Sequence, residues 1–261
     1  MSWDDLETRI TRLIIEHCMR EWRELSSVDA VVVGAGASGL TAAKYISDSG
    51  LKVVVLEKNL SFGGGIGGGG MLFHKVVVGE DAKPVLEDFG VRYTISEADK
   101  LYVIDAAELM AKLALGALNS GAKIIHGVTV EDVIFRRKPL AIHGVVIQWT
   151  PVKISGLHVD PLFIMSRAVV DATGHDAEVL NVASKKIPEL RVQLKGEGAA
   201  HASVGDRLVV EEAGRVAPGL YATGMAVSAL KGIPRMGPIF SGMLLSGKRV
   251  AEAVTRDLKS G

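Results

Sequence analysis

Three groups of residues in this sequence carry types and spacings that chemistry can use. The most specific is the turn Gly34-Ala-Gly36-Ala-Ser38-Gly39, a G-x-G-x-x-G preceded by the apolar run 28–33. Twenty-three positions after its first glycine, Glu57 ends a second apolar run. That context is the dinucleotide fingerprint. Gly34 allows the tight turn, Gly36 lets backbone approach a pyrophosphate, and Gly39 lets the next helix pack on the strand. The helix N-terminus offers N–H groups and a positive dipole end to the phosphates. Glu57 can accept the ribose hydroxyls, which favours an unphosphorylated 2′-OH. The second group is His158-Val-Asp160 with Gly174-His175-Asp176. His158 and Asp160 are two apart, so an extended segment over 156–160 turns both to one side. Imidazole and carboxylate without thiolate suit iron(II), manganese or zinc. A hydrogen-bonded core histidine or a surface pair is the ordinary alternative. The third is Arg235, alone in the loop Gly232-Ile-Pro234-Arg235-Met-Gly237-Pro238. A guanidinium there suits bidentate capture of a carboxylate or phosphate, and the flanking prolines argue for a rigid loop.

These groups need elements to hold them. Periodicity predicts an amphipathic helix over residues 3–24, with Trp3, Leu6, Ile10, Leu13, Ile14 and Cys18 on one face, starting near Ser2. Its expected role is packing onto the domain or a sister subunit. Strands are expected at 28–33, 51–56, 123–128, 130–136, 142–149, 168–172 and 220–222. Extended chain is also expected at 156–160. Helices are expected at 39–49, 105–120 and 239–258. The division is an N-terminal helix, 1–25, followed by a single α/β domain, 26–261. The run Gly63-Gly-Gly65-Ile66-Gly-Gly-Gly-Gly70 reads as mobile backbone whose N–H groups can reach a ligand. Histidines 17, 74, 126, 143 and 201 lack such pairings and read as structural.

Composition narrows the class. Thirty of 261 residues are glycine, above the ~7% average, without a collagen period. Lys plus Arg and Asp plus Glu both number 30, so no basic footprint suggests nucleic acid. Cys18 is the only cysteine, which excludes an intramolecular disulfide and any thiolate cage and fits a reducing cytoplasm. The N-terminus has no signal-peptide core, and no stretch reaches the ~18 apolar residues of a spanning helix.

Pro218-Gly-Leu-Tyr-Ala-Thr-Gly224-Met225 resembles the second flavin motif of two-dinucleotide-fold flavoproteins, as does Ala172-Thr-Gly174 their mid-chain segment. In those proteins an aspartate follows the glycine and holds the ribityl chain. Here Met225 stands in its place and cannot, which weakens a flavin- or NAD-dependent oxidoreductase reading. A non-catalytic NAD-binding protein is the other alternative.

Taken in order, Gly34–Gly39, Glu57-Lys58, the glycine run after Phe62, His158-Val-Asp160-Pro161, Asp171-Ala-Thr-Gly-His175-Asp176, Tyr221–Met225 and Arg235-Met-Gly-Pro238 resemble the thiamine thiazole synthases, in their archaeal sulfide-dependent form. The resemblance spans nearly the whole chain. It implies an FAD/NAD(P)-binding, Rossmann-like fold of the glutathione-reductase type, with a three-layer ββα core, assembled as an octamer. It implies an enzyme that strips nicotinamide from NAD, opens the ADP-ribose to a ketose, condenses glycine on it and adds sulfur to give an ADP-thiazole carboxylate. A ribose-1,5-bisphosphate isomerase activity, once ascribed to some members, is the less favoured alternative. By the same resemblance Ser38, Glu57, Lys58, Gly65, Val130 and Met225 line the dinucleotide, and Arg235 holds the glycine carboxylate. Asp160 and His175 match iron(II) ligands from adjacent subunits. Eukaryotic relatives carry a sulfur-donating cysteine where this chain has His158. An imidazole has no sulfur to give, so free sulfide is the expected donor, with His158 a third ligand or an acid–base group.

Overall fold

The computed structural model describes residues 5–260. Its strands are β1 (Ser27–Val33), β2 (Val53–Glu57), β3 (Lys75–Gly79), β4 (Thr94–Ser96), β5 (Leu101–Asp105), β6 (Lys123–His126), β7 (Val128–Arg137), β8 (Leu140–Trp149), β9 (Leu162–Asp171), β10 (Gly214–Ala217) and β11 (Leu220–Ala222). Its α-helices are α1 (Leu6–Leu25), α2 (Ala37–Asp48), α3 (Lys83–Asp88), α4 (Ala106–Asn119), α5 (Thr150–Ser155), α6 (Glu178–Lys186), α7 (Ala202–Glu212), α8 (Met225–Lys231) and α9 (Ser241–Lys259).

The main sheet runs β10-β11-β9-β1-β2-β6, with β1, β2, β6, β9 and β11 parallel. The valine run of β1 is buried on both faces, as a central parallel strand must be. Helices α2, α4 and α9 pack together as the helical layer. The β7–β8 hairpin joins the first half of β9 and supplies the further β layer. The small antiparallel sheet β3-β5-β4 is separate.

Register decides where a site can lie. Val33 pairs with Leu56 on one side and Asp171 on the other, and Asp171 pairs with Ala222. The carboxyl ends of β1, β2, β9 and β11 therefore end level, and the loops after them open on one crevice. Ligands of open α/β sheets bind in such a crevice, where chain connections diverge to either side of one strand.

Several expectations need correction. Residues 156–160 are not a strand. Gly156 ends α5 in the left-handed region (φ +69°), and 157–161 form a strap before β9 that is exposed over 157–160. The strand expected at 168–172 begins six residues earlier, because β9 pairs with β8 as well as β1. The glycine run is not free backbone. Ile66 within it is fully buried, and the turn around it packs on α4. The sheet β3-β5-β4 and helices α3, α5, α6, α7 and α8 were not foreseen.

Helix α1 is amphipathic as expected, but its apolar side is open. Leu6, Ile10, Leu13, Ile14 and Met19 are exposed, and among its described side chains only Leu25 is buried. Trp22 stands edge-on to Trp149 at 5.4 Å. The expected helix start near Ser2, with Trp3, lies outside the described residues. Among the described residues no helix is long and apolar enough to cross a membrane.

The loop after β9 is tied by Asp171, which is fully buried. Its Oδ1 accepts from the Thr173 N–H at 3.0 Å and the Thr173 hydroxyl at 2.7 Å, and its Oδ2 accepts from the Leu180 N–H at 2.9 Å. Burial pushes this carboxyl up, while the three donors oppose the shift. An amide offers one accepting oxygen in place of two. Asp171→Asn should therefore cost about 1–3 kcal/mol by leaving a buried N–H facing an N–H. A urea midpoint lowered by that free energy divided by the m-value, with the m-value itself unchanged, is the expected result.

Candidate active site

One cavity of about 700 Å³ opens at the carboxyl ends of the parallel strands, a volume suited to a cofactor-sized ligand. Its floor is the turn after β1. Gly34 has φ +103°, and a Cβ there would lie 2.4 Å from the carbonyl oxygen of Ala172. A Cβ on Gly39 would lie 2.0 Å from the Gly34 oxygen. These two glycines are thus demanded by the protein itself. Gly36 is different: a Cβ there would meet nothing within 4 Å. Its bareness leaves room on the cavity side for another molecule's close approach to the N-terminus of α2.

The glycine run closes over this turn. Gly63 N–H donates to Ala35 O at 2.7 Å, and a Cβ on Gly64 would lie 3.1 Å from the Gly36 Cα. Glu57, buried at the end of β2, accepts from Ala35 N–H at 2.9 Å through Oε2. Its Oε1 accepts from the backbone and side-chain nitrogens of Asn59 at 2.9 and 2.8 Å. The carboxylate is therefore fixed in direction where it borders the cavity. Lys58 also borders it, with Nζ 2.6 Å from Glu178 Oε1, and that carboxylate holds the ammonium above its ordinary pKa.

The cavity lining includes Gly34, Gly36, Ser38, Glu57, Lys58, Gly65, Val130, His175, Met225 and Arg235. Of the residues singled out in the sequence, Gly39 sits behind the turn as a packing contact. His158 and Asp160 lie elsewhere. Both are exposed on the strap after α5 and make no hydrogen bond or ion pair among the described residues. The structure therefore does not bring His175 together with His158 or Asp160 within one chain. Among the described residues no three His, Cys, Asp or Glu side chains are grouped to hold a metal. The chemistry of the donors suits iron(II), yet one chain offers the cavity only the imidazole of that set.

His175 stands on the short turn Gly174–Asp176. Its Nδ1 lies 3.1 Å from Glu197 Oε2, and Glu197 Oε1 lies 3.4 Å from Nε of Arg235. Glu197 was not anticipated from the sequence. The available signal was an acid between two glycines, Gly196-Glu197-Gly198, a pattern that places a side chain on tightly routed backbone.

Comparison with known proteins follows the same order of strength. The chain is 62% identical over 254 residues to a thiamine thiazole synthase of Archaeoglobus fulgidus, covering 97% of this chain and 96% of that protein. It matches the crystal structure of Thermovibrio ammonificans THI4 with a TM-score of 0.92 and 38% identity, over 99% of this chain and 100% of that one. A geranylgeranyl bacteriochlorophyll reductase-like protein from Thermoplasma acidophilum is 16% identical with a TM-score of 0.56, over 90% of this chain and 79% of that one. That likeness shows the Rossmann-like fold alone. The Thi4 family model matches residues 11–240, and the chain belongs to the Thi4 family.

Proposed function

We propose that this chain is a thiamine thiazole synthase that builds an ADP-thiazole carboxylate from NAD, glycine and free sulfide, using iron(II) and turning over repeatedly. The observation that carries the reading is the single cavity in which a dinucleotide turn, an imidazole and a guanidinium converge. NAD fits the floor: the diphosphate against Gly36 and the N-terminus of α2, a ribose against the fixed carboxylate of Glu57. Ser38, Lys58, Gly65, Val130 and Met225 line the same space. Met225 supports a nucleotide substrate over a flavin, because its thioether offers the ribityl hydroxyls only a weak acceptor.

The reaction asks several things of these residues. After nicotinamide leaves and the ribose opens to a ketose, glycine must reach the carbonyl with its amine free. Arg235 would take the glycine carboxylate at its terminal nitrogens and so aim the amine inward. Glu57 and the α2 N-terminus would hold the ADP end still through every later step. Iron(II), when bound, would supply Lewis acidity and an open position for a soft ligand such as sulfide. His175 offers an imidazole for it at the cavity wall. The sulfur has no source in the chain. Position 158 is histidine, and Cys18 is an exposed thiol on α1, which precedes the amino end of β1, whereas the cavity lies at the carboxyl end. A reducing cytoplasm suits both free sulfide and iron(II).

Asp160 would complete the metal site from an adjacent subunit of an octamer, with His158 beside it as a third ligand or an acid–base group. Two observations support this. Both side chains are exposed and make no hydrogen bond or ion pair among the described residues, and exposed Ile154, Leu157, Val159, Leu162 and Phe163 surround them in sequence. The open face of α1 is a second apolar surface of the kind that oligomers cover.

Anaerobic incubation with NAD, glycine, sulfide and iron(II), followed by mass analysis, should yield an adenylated thiazole over many turnovers. No such product under these conditions sinks the proposal. His175→Ala should still bind NAD but form no thiazole. For the shared site, Asp160→Ala and His175→Ala are each expected to be inactive as homogeneous assemblies. Mixed assemblies, formed by co-expression, should regain activity, because some interfaces then pair two intact halves. Failure to regain any would place both ligands in one subunit's site.

A further inference from the structure

We infer that Glu197 is a positioning residue that couples the imidazole of His175 to the guanidinium of Arg235, fixing which ring nitrogen is offered to metal and which edge of the arginine is offered to substrate. The inference rests on the proposed iron- and glycine-dependent reading of this site. It concerns the chain's own residues and the geometry among them.

Three features make Glu197 more than a chance neighbour. First, its backbone is held on both sides. Gly196 N–H donates to Ala229 O at 3.0 Å, and Gly198 N–H to Ile233 O at 3.0 Å. His201 N–H donates to Arg235 O at 2.9 Å. Residues 195–201 are thus laced to 229–235, so Glu197 and Arg235 cannot drift apart. The flanking glycines permit that route. Gly196 has φ +80°, and a Cβ on Gly198 would sit 3.2 Å from the Gly232 oxygen. Second, its two oxygens divide the work. Oε2 faces Nδ1 of His175 at 3.1 Å, and Oε1 faces Nε of Arg235 at 3.4 Å. Third, the carboxylate is mostly sheltered, with 19% of its side chain exposed against 54% for His175 and 61% for Arg235. Oε1 is buried and accepts no hydrogen bond among the described residues. A sheltered negative oxygen in that state needs a nearby positive charge, and the Arg235 guanidinium is the cation beside it.

The chemical consequence is specific. A carboxylate at Nδ1 favours the tautomer with its proton on Nδ1, which leaves the Nε2 lone pair free. Such an outer carboxylate orients a ligating imidazole and raises its basicity, and its loss typically weakens metal binding ~10–100-fold. On the other side, engaging Arg235 through Nε leaves the two terminal nitrogens as a planar fork, the arrangement that grips a carboxylate. One side chain would thus set the relative placement of metal and amino-acid substrate.

The test uses the full-length assembled enzyme and three readouts: anaerobic iron(II) titration, KM for glycine separately from kcat, and NAD binding with thermal unfolding as controls. Glu197→Ala should bind iron(II) about 10–100-fold more weakly and raise KM for glycine. NAD affinity should stay within about twofold of wild type. Glu197→Gln keeps an accepting oxygen for Nδ1–H, so it should recover most of the iron affinity while KM for glycine stays raised. If Glu197→Ala fails to fold, the glutamine variant alone decides: wild-type values for both iron affinity and KM overturn the inference. Wild-type iron affinity in Glu197→Ala overturns it equally. A wild-type protein that binds no iron(II) and makes no thiazole would instead bring down the functional reading on which the inference stands.

Discussion

The site depends on how closely the turn after β1 lies against the end of β9. Gly34 and Ala172 approach so tightly that a single added carbon on Gly34 would fall 2.4 Å from a carbonyl oxygen. That approach brings the α2 N-terminus, which begins on β1, beside the loop carrying His175, which begins on β9. Residues more than 130 positions apart in sequence then face one cavity. Interiors are packed at crystal-like density, so such a contact is two-valued: it forms with glycine and is lost with a side chain.

Three carboxylates near this contact serve by different means. Asp171 is fully buried, and its three donors come from Thr173 in the loop after β9 and from Leu180 in the first turn of α6, so its task is to shape backbone. Glu57 is buried at the cavity margin, with N–H donors fixing its direction. Glu197 is mostly sheltered and faces an imidazole and a guanidinium. Asp171 and Glu57 each accept three hydrogen bonds, as buried carboxylates require, whereas Glu197 keeps one buried oxygen without a hydrogen bond beside a guanidinium.

The strap after α5 shows the opposite economy. Exposed His158, Asp160 and apolar side chains lie together there, and the histidine and aspartate make no hydrogen bond or ion pair among the described residues. An adjacent copy covering the strap would bury the apolar residues and bring the polar ones to a neighbour's cavity, so assembly and metal binding would be linked thermodynamically.

Much was legible in the sequence because it rests on local rules. The valine run of β1, the glycine spacing of its turn, Glu57 at the end of β2 and the helix period of α4 and α9 each follow from positions a few residues apart. The Thi4 motifs likewise stand in order along the chain. What sequence reading lost was decided by contacts between distant segments. β3, β4 and β5 were not foreseen, and they form a sheet of their own by pairing with one another. Ile66 is anchored by α4, so its glycine neighbours have a defined path. The strap reads as an extended segment, but it leaves α5 through the left-handed Gly156 and pairs with no strand among the described residues. Glu197 looked like one acid among thirty. Only the lacing of 195–201 to 229–235 gives it its two partners. Spacing along a chain determines which face of one element a side chain takes. Which side chains meet is fixed by how elements pack, and that tertiary fact left His175 beside Glu197 and apart from Asp160.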